Sequence, residues 1–206
     1  MVDALRSYET TVGSQVLHLP VVPLNDGLAI ALLITVDHGV AFSARAGEDL
    51  AKLLAPLDVD VVVSVATMGI PLAIEASRAL GLDDYLILQK TPKIHLADAI
   101  SEPVTSITTD KRQRLLFDRA RVGAVAGKRV ALIDDVVSTG ASVRAALHLV
   151  RHVGGDPVAI GTLLTEAAAW RSTLGEDAAL VQALGAVPLF RRRSDGMLEE
   201  DWQGTA

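Results

Sequence analysis

Residues 129–142 read Arg-Val-Ala-Leu-Ile-Asp-Asp-Val-Val-Ser-Thr-Gly-Ala-Ser, and this stretch decides the fold. Its first five residues, 129–133, predict a buried strand. That strand delivers two adjacent carboxylates, Asp134 and Asp135, to its carboxyl end, and the small residues 138–142 then form a turn that opens a helix. Ligands of open α/β sheets bind at this edge. The stretch therefore predicts a ligand site as well as a strand-turn-helix unit.

The turn has the character of a phosphate site. Backbone N–H groups and the hydroxyls of Ser138, Thr139 and Ser142 are donors for an anion, and the positive end of the helix dipole adds to their effect. Gly140 permits a positive φ or a close approach of the ligand. The alternative is that a serine merely caps the helix and the aspartates end the strand.

The neighbouring carboxylates complete the predicted ligand. Carboxylates accept hydrogen bonds from sugar hydroxyls, and they also bind Mg²⁺. A phosphorylated ribose satisfies both halves of the stretch. The Gly-Lys-Ser/Thr ending of a Walker A loop and the G-x-G-x-x-G of a dinucleotide site are both absent from the sequence.

The rest of the chain repeats a strand-then-helix rhythm. Strands are predicted at 59–66, 85–88, 129–133, 158–164 and 187–190, and helices at 70–80, 142–153 and 176–184. This alternation predicts an α/β fold with a mostly parallel sheet. Residues 15–22 and 28–36 are predicted as two strands around an Asn25-Asp26-Gly27 turn. Residues 91–117 break this rhythm and are predicted to form an extended arm. Long irregular insertions in compact domains are usually functional, so we expect the arm to have a function.

Composition limits the function classes. The 206 residues include no cysteine, which excludes a disulfide framework, a thiolate metal site and a catalytic thiol. The net charge of −6 argues against a broad nucleic-acid surface, which needs a basic face. No apolar run approaches the roughly 20 residues that span a bilayer, and the N-terminus lacks the features of a secretory signal. We expect a single cytoplasmic domain over 1–206 that contacts neither nucleic acid nor membrane.

Residues 129–142 resemble the phosphoribosyl pyrophosphate (PRPP) motif of type I phosphoribosyltransferases, in which two acidic residues precede a T-G-x-T/S loop. The resemblance implies a Rossmann-like parallel sheet flanked by helices. It also implies a small hood from about 1–40 and the C-terminal segment, and a flexible flap at about 94–117. Asp134 and Asp135 would hold the ribose 2′ and 3′ hydroxyls. The 5′-phosphate would be cradled by Ser138, Thr139, Gly140, Ala141 and Ser142.

Two further segments resemble parts of the same family. Residues 66–73, Ala-Thr-Met-Gly-Ile-Pro-Leu-Ala, resemble its pyrophosphate loop, and an ordinary strand-to-helix turn with proline in the first turn is the alternative. Residues 89–93, Gln-Lys-Thr-Pro-Lys, resemble the basic segment that neutralises the leaving pyrophosphate. On this resemblance the pyrophosphate would be contacted by Thr67, Met68, Gly69, Lys90 and Lys93.

The family reaction transfers the phosphoribosyl group of PRPP to a ring nitrogen of a base, releases pyrophosphate and uses Mg²⁺ as cofactor. The ion would be held through PRPP, near Asp134 and Asp135, with no direct protein site. Asp135 is also a candidate to accept a proton from the base. The enzyme would position the reactants, neutralise the leaving group and exclude water.

The segments 66–73 and 101–109 resemble purine-specific members most closely. Where xanthine-type relatives have Glu-Lys-Ser-Phe, this chain has Glu166 followed by two alanines, which favours adenine and then hypoxanthine. Asn25, Glu166 and Trp170 are candidates for contacts with the base. Asparagine is also common in plain hairpin turns, and tryptophan at such a place is more often buried than stacked on a ligand.

A non-catalytic, PRPP-sensing regulator of the purine-repressor type is the alternative function. Such regulators carry an additional N-terminal winged-helix domain and a basic surface. The few residues before the predicted sheet and the acidic composition place this alternative second. The resemblance also implies a homodimer.

Overall fold

The computed structural model describes residues 7–96, 98–104 and 113–204, with only the backbone of residue 95. Its strands are β1 (Ser7–Val12), β2 (Gln15–Pro23), β3 (Leu28–Ala31), β4 (Val61–Val65), β5 (Tyr85–Leu88), β6 (Ile100–Val104), β7 (Gln113–Phe117), β8 (Arg129–Val137), β9 (Asp156–Glu166), β10 (Val181–Val187), β11 (Leu189–Arg192) and β12 (Leu198–Asp201). Its α-helices are α1 (Gly39–Leu54), α2 (Gly69–Leu80), α3 (Ala141–His152) and α4 (Ala169–Leu174). Short 3₁₀ turns cover Thr35–His38, Ala55–Leu57, Ile94–Leu96, Arg119–Ala124 and Gly175–Leu180.

A five-stranded parallel sheet in the order β10-β9-β8-β4-β5 forms the centre of the molecule. Every residue of β4 is buried, because helices cover both faces of the sheet. Alternate residues of β4 face opposite sides. Val61, Val63 and Val65 pack with α3 and α4, whereas Val62 packs with α1 and α2. The α/β fold with a parallel, helix-flanked sheet is confirmed.

A second, antiparallel sheet in the order β1-β2-β3-β11-β12 is built from residues 7–31 and 189–201. Its buried side chains, among them Leu19 and Phe190, join the core formed by α1 and α2. The sheet approaches the edge strand β10, where the Gly13 N–H donates to the Leu184 carbonyl at 3.0 Å. At this crossing a Cβ on Gly185 would overlap with the Thr11 carbonyl oxygen, so glycine is required for the approach.

Within the segment predicted as an arm, 91–117, the strands β6 and β7 pair as an antiparallel hairpin. Leu115 and Phe117 of β7 are buried against α3, so the base of the arm is part of the core. His148 Nδ1 of α3 also lies 3.1 Å from Glu102 Oε1 of β6. Residues 105–112, the central part of the expected flap at 94–117, lie outside the described residues.

Three predicted elements were wrong in part. The helix predicted at 176–184 is a 3₁₀ turn followed by β10, because residues 181–187 pair in parallel with β9 and this pairing overrides the helical preference of alanine and leucine. The strand predicted at 187–190 is divided between β10 and β11. The strand predicted at 28–36 ends at Ala31, where the chain leaves the antiparallel sheet for a 3₁₀ turn. Within the described residues, none of the helices has the length and apolar character needed to cross a membrane.

Candidate functional site

Three loops meet at the carboxyl edge of the parallel sheet. They follow β4, β5 and β8, which are neighbours in the strand order. Parallel neighbours end at the same edge, so the polar residues after each strand share one region. This topology brings together residues 66–73, 89–93 and 129–142, which are separate in the sequence.

Asp134 and Asp135 lie near the end of β8, and both are half-buried. The Asp135 N–H donates to Asp134 Oδ1 at 3.0 Å, and the Thr162 hydroxyl of β9 donates to the Asp135 carbonyl at 3.0 Å. Burial, followed by the charge of Asp135, raises the pKa of Asp134 well above its ordinary value, and the charge of Lys90 opposes this rise. A half-buried carboxylate pair near a lysine can accept hydroxyl hydrogen bonds or hold a cation.

The turn 138–142, here called the phosphate loop, leads into α3. Gly140 precedes the helix with φ of 78°, and no side chain caps the helix at this residue. A Cβ on Gly140 would lie 3.3 Å from the Cβ of Trp170 and 3.4 Å from Leu174 Cγ. Within the turn itself, the Ala141 N–H donates a long hydrogen bond of 3.4 Å to Thr139 Oγ1. The first N–H groups of α3 are therefore placed to receive an anion.

Ser138 is held by a residue of the neighbouring strand. Its hydroxyl donates to Glu166 Oε2 at the end of β9. Glu166 is only 7% exposed, and burial raises the pKa of its carboxyl although the bond from Ser138 lowers it. The Ser138 hydroxyl proton is thus committed to Glu166, which leaves the backbone and the other two hydroxyls of the phosphate loop for a ligand. Sequence reasoning missed this contact, because Ser138 and Glu166 follow separate strands whose packing the sequence pattern does not specify.

The turn 67–69, here called the pyrophosphate loop, joins β4 to α2, and the Ala66–Thr67 peptide bond is cis. Thr67 is exposed, Met68 is half-buried and Gly69 is buried. A Cβ on Gly69 would overlap with Ser64 Oγ and would lie 3.5 Å from Asp134 Oδ1. Glycine is therefore needed for this loop to approach the acidic pair.

The loop after β5 contributes the predicted basic residues. Lys90 and Lys93 are both exposed. The charge of Lys90 acts on Asp134, so Lys90 lies in the same region as the acidic pair. The carbonyl of Lys93 accepts a hydrogen bond of 2.9 Å from the Leu96 N–H, which begins a short 3₁₀ turn.

Two further candidates for contacts with the base, Asn25 and Trp170, have local roles of their own. Asn25 is exposed in the β2–β3 turn, where its Oδ1 accepts a hydrogen bond of 2.9 Å from the Gly27 N–H, as expected for a plain turn residue. Trp170 is 2% exposed and its Nε1 donates to the Ala167 carbonyl at 3.0 Å. Trp170 was a candidate for a base contact with burial as the more common alternative, and its ring belongs to the core, with its Cβ beside Gly140.

The acidic pair also fits a magnesium ion of a particular kind. Mg²⁺ takes oxygen ligands and is commonly bound by one or two carboxylates together with substrate phosphates. Asp134 and Asp135 supply such oxygens. Across residues 7–96, 98–104 and 113–204 no group of three or more acidic or histidine side chains could hold a metal ion. The donor set therefore suits an ion that a phosphorylated substrate completes.

A sequence profile of the phosphoribosyl transferase domain matches residues 43–178, which include the acidic pair, both loops and Glu166. The chain belongs to this family.

Curated relatives carry several names. The chain is 26% identical over 119 residues to xanthine phosphoribosyltransferase of Laribacter hongkongensis, covering 57% of this chain and 62% of the relative. It is 27% identical over 121 residues to the purine biosynthesis transcriptional repressor PurR of Bacillus subtilis, covering 59% and 41%. It is 29% identical over 128 residues to adenine phosphoribosyltransferase of Rhodospirillum centenum, covering 62% and 70%. The alignments with the first two of these span less than two thirds of the relative's length.

Solved structures support the fold. The crystal structure of adenine phosphoribosyltransferase from Rhodothermus marinus superposes with a TM-score of 0.62 at 20% identity, over 81% of this chain and 92% of that one. At this identity the likeness concerns the arrangement of helices and strands. It confirms the type I phosphoribosyltransferase fold that the resemblance predicted.

Proposed function

We propose that this protein binds PRPP and transfers its 5-phosphoribosyl group to a purine base, with release of pyrophosphate. One observation supports this most. The acidic pair Asp134–Asp135, the uncapped start of α3 and the glycine-dependent pyrophosphate loop share one edge of the parallel sheet. These groups match the ribose hydroxyls, the 5′-phosphate and the pyrophosphate of a single ligand.

The ribose and its phosphate are assigned to β8 and the phosphate loop. Asp134 and Asp135 accept hydrogen bonds from the 2′ and 3′ hydroxyls. The backbone N–H groups of the phosphate loop and the hydroxyls of Thr139 and Ser142 donate to the 5′-phosphate, where the dipole of α3 favours negative charge. Ser138, held by Glu166, contributes its backbone.

The pyrophosphate is assigned to the 67–69 loop and to Lys90. Backbone N–H groups of the loop donate to the phosphate oxygens, and the Lys90 ammonium neutralises charge that develops on the leaving group. Lys93, three residues further along an exposed loop, is assigned a weaker contribution of the same kind. Asp134 and Asp135 would supply oxygen ligands to Mg²⁺ together with the phosphates of the substrate, and the ion would further neutralise the leaving group.

Most of the rate enhancement would come from position and electrostatics. Two bound reactants held in line replace an encounter in solution, and a closed site excludes water that would hydrolyse PRPP. We assign Asp135 a second task, because it lies near the carboxyl end of β8, at the edge assigned to the ribose. There it can accept the proton that the base nitrogen releases.

Adenine is the proposed base, with hypoxanthine next. Glu166 is the buried acceptor at the carboxyl end of β9, and a carboxylate accepts from an amino group, whereas it repels a carbonyl oxygen. Ala167 and Ala168, which follow it, offer no cation for a 2-oxo group. Relatives of both the adenine and the xanthine type support the purine class. Asn25 remains a candidate from the antiparallel sheet, and a homodimer stays a prediction.

A PRPP-sensing regulator is the second candidate, because the chain is also similar to a transcriptional repressor of purine biosynthesis. It would use the same PRPP contacts without the transfer step. The two candidates agree on the ligand and differ in turnover.

Pyrophosphate release distinguishes them. The protein is incubated with PRPP and Mg²⁺, and adenine, hypoxanthine, guanine, xanthine and orotate are added separately. We expect release with adenine, at a lower rate with hypoxanthine. Release with xanthine alone would overturn the assignment of the base. Absence of release with all five bases, together with measurable PRPP binding, would favour the regulator.

A further inference from the structure

Ser64 is a buried polar residue that the site described above does not use. It lies in the middle of β4 and is 0% exposed. Its hydroxyl has no hydrogen-bond partner among the described residues. A buried hydroxyl without a partner is unfavourable, and alanine would fill the same place without this cost. Its presence on the strand that leads to the pyrophosphate loop therefore calls for a function.

The surroundings of the Ser64 hydroxyl point to that function. A Cβ on Gly69 would overlap with Ser64 Oγ, lie 3.3 Å from the Ile133 carbonyl and lie 3.5 Å from Asp134 Oδ1. The unpartnered donor and the Asp134 carboxylate therefore both lie beside Gly69. Asp134 Oδ1 accepts a hydrogen bond of 3.0 Å from the Asp135 N–H.

We propose that Ser64 is a positioning residue for PRPP: when the ligand binds, its hydroxyl donates to the Asp134 carboxylate and fixes the orientation in which that carboxylate accepts the ribose hydroxyls. This inference rests on the proposed function. The Ser64 donor has no partner among the described residues, and Asp134 Oδ1 accepts the Asp135 N–H while keeping a further lone pair for a second donor. Binding brings donor and acceptor together, so the bond contributes to ligand affinity rather than to the stability of the free fold.

A positioning role and a structural role of the Ser64 hydroxyl predict opposite effects of an alanine substitution on the stability of the protein. A hydroxyl that holds the free fold together makes its alanine variant less stable. The Ser64→Ala variant is expected to melt at the same temperature as wild type or higher, because it removes an unsatisfied buried donor. The same variant is expected to bind PRPP about tenfold more weakly, the effect of one hydrogen bond to a charged group.

The chain offers a matched control. Ser77 on α2 is 2% exposed, and its hydroxyl likewise has no partner among the described residues. It lies two helical turns beyond Gly69, at the other end of the helix. Ser77→Ala is therefore expected to keep or raise the melting temperature and to leave PRPP binding unchanged.

The experiment measures melting temperature, PRPP affinity by calorimetry in Mg²⁺, and the KM values for PRPP and base. Wild type, Ser64→Ala, Ser64→Cys and Ser77→Ala are compared; the cysteine is of similar size and a weak donor, and it decides the question if the alanine variant does not fold. We expect both Ser64 variants to raise the KM for PRPP about tenfold while the KM for the base stays unchanged.

Two results would overturn the inference while wild type binds PRPP. One is wild-type PRPP affinity in both Ser64 variants. The other is a fall in affinity accompanied by a lower melting temperature, which is the behaviour of a structural residue. A wild-type protein that does not bind PRPP would instead refute the proposed function itself.

Discussion

At the scale of single residues, the site is unusual because it takes negative charge partly out of water, which lowers the stability of the folded protein. Asp134 lies beside a second carboxylate, and its pKa is raised by burial and by that neighbour. The folded protein therefore holds the Asp134 proton more tightly than the unfolded chain does. Stability is lost as the pH rises from the unfolded value of about 3.9 through the raised folded value.

The first prediction follows from the loss of stability with rising pH at Asp134. Asp134→Asn removes the burial of charge, so we expect it to raise the melting temperature near neutral pH by about 2–4 °C, and we expect the gain to shrink as the pH falls toward about 4. Thermal unfolding at several pH values measures this. A variant that is less stable than wild type at neutral pH would contradict the prediction.

Asp177 supplies the matched control, because its pKa is shifted in the opposite direction to that of Asp134. Arg151 binds it through two hydrogen bonds of 2.7 and 2.6 Å, which lower the pKa of Asp177. The stability from this pair is present above the unfolded value and is lost as the pH falls through the folded one. Asp177→Asn is expected to lower the melting temperature near neutral pH, with a difference that also shrinks in acid.

The second prediction concerns Gly140. Its φ of 78° disfavours any side chain by about 1–2 kcal/mol, and a Cβ would press on Trp170. We expect Gly140→Ala to lower stability and also to weaken PRPP binding at least tenfold, because the phosphate loop must shift. Gly81, with φ of 72° and no atom within 4 Å of a Cβ, is the control. Gly81→Ala should lose similar stability and keep its affinity; equal affinities in the two variants would refute the prediction.

At the scale of elements, the stretches with the strongest local pattern were predicted well. The apolar run before Asp134 and the Gly81 stop of α2 appear where expected, since burial on both faces and helix termination leave clear signals. The strand β10 was missed because its edge position depends on pairing with β9, which the residues 181–187 do not reveal. Helix α1 was missed as well, because the small residues of its buried face differ little in hydrophobicity from the rest of the helix.

The same distinction holds within the candidate site. The carboxylates and the phosphate loop were predicted from one continuous stretch, since the strand, the turn and the helix carry their own signals. The Ser138–Glu166 bond and the place of Trp170 under Gly140 depend on how separate strands are packed, and sequence patterns do not specify such contacts.

The third prediction concerns the β6–β7 hairpin. Leu115 is 0% exposed and attaches β7 to the core beside α3. Leu115→Ala is expected to cost about 2–5 kcal/mol of unfolding free energy because it leaves a cavity. Leu24, 57% exposed in the β2–β3 turn, gives a control of the same chemistry with an expected change within about 0.5 kcal/mol. Denaturant unfolding compares them, and similar midpoints would show that the hairpin is not part of the core.

At the scale of the whole molecule, the two sheets meet where β1 passes β10. Gly185 permits this crossing, since a Cβ there would overlap with the Thr11 carbonyl. The antiparallel sheet must be held at this point if it is to cover the edge where the base approaches. Residues at this contact are therefore expected to affect stability and base affinity together.

The fourth prediction tests that contact. Gly185→Ala is expected to lower the melting temperature by at least about 4 °C, because it forces backbone apart where the two sheets cross, and to raise the KM for the base. Gly123→Ala is the control, since a Cβ at Gly123 meets nothing within 4 Å. If Gly185→Ala loses stability but keeps the wild-type KM for the base, the contact between the two sheets does not affect base binding. That result would contradict the prediction.

The central claim is that PRPP binds at the carboxyl edge of the parallel sheet through the acidic pair. Calorimetric titration of PRPP in Mg²⁺ into wild type and into the Asp134→Asn, Asp135→Asn double variant tests it most directly. We predict saturable binding by wild type and an affinity at least 100-fold lower in the double variant, because both acceptors for the ribose hydroxyls lose their charge. Equal affinity in the two proteins, with both folded, would contradict the claim.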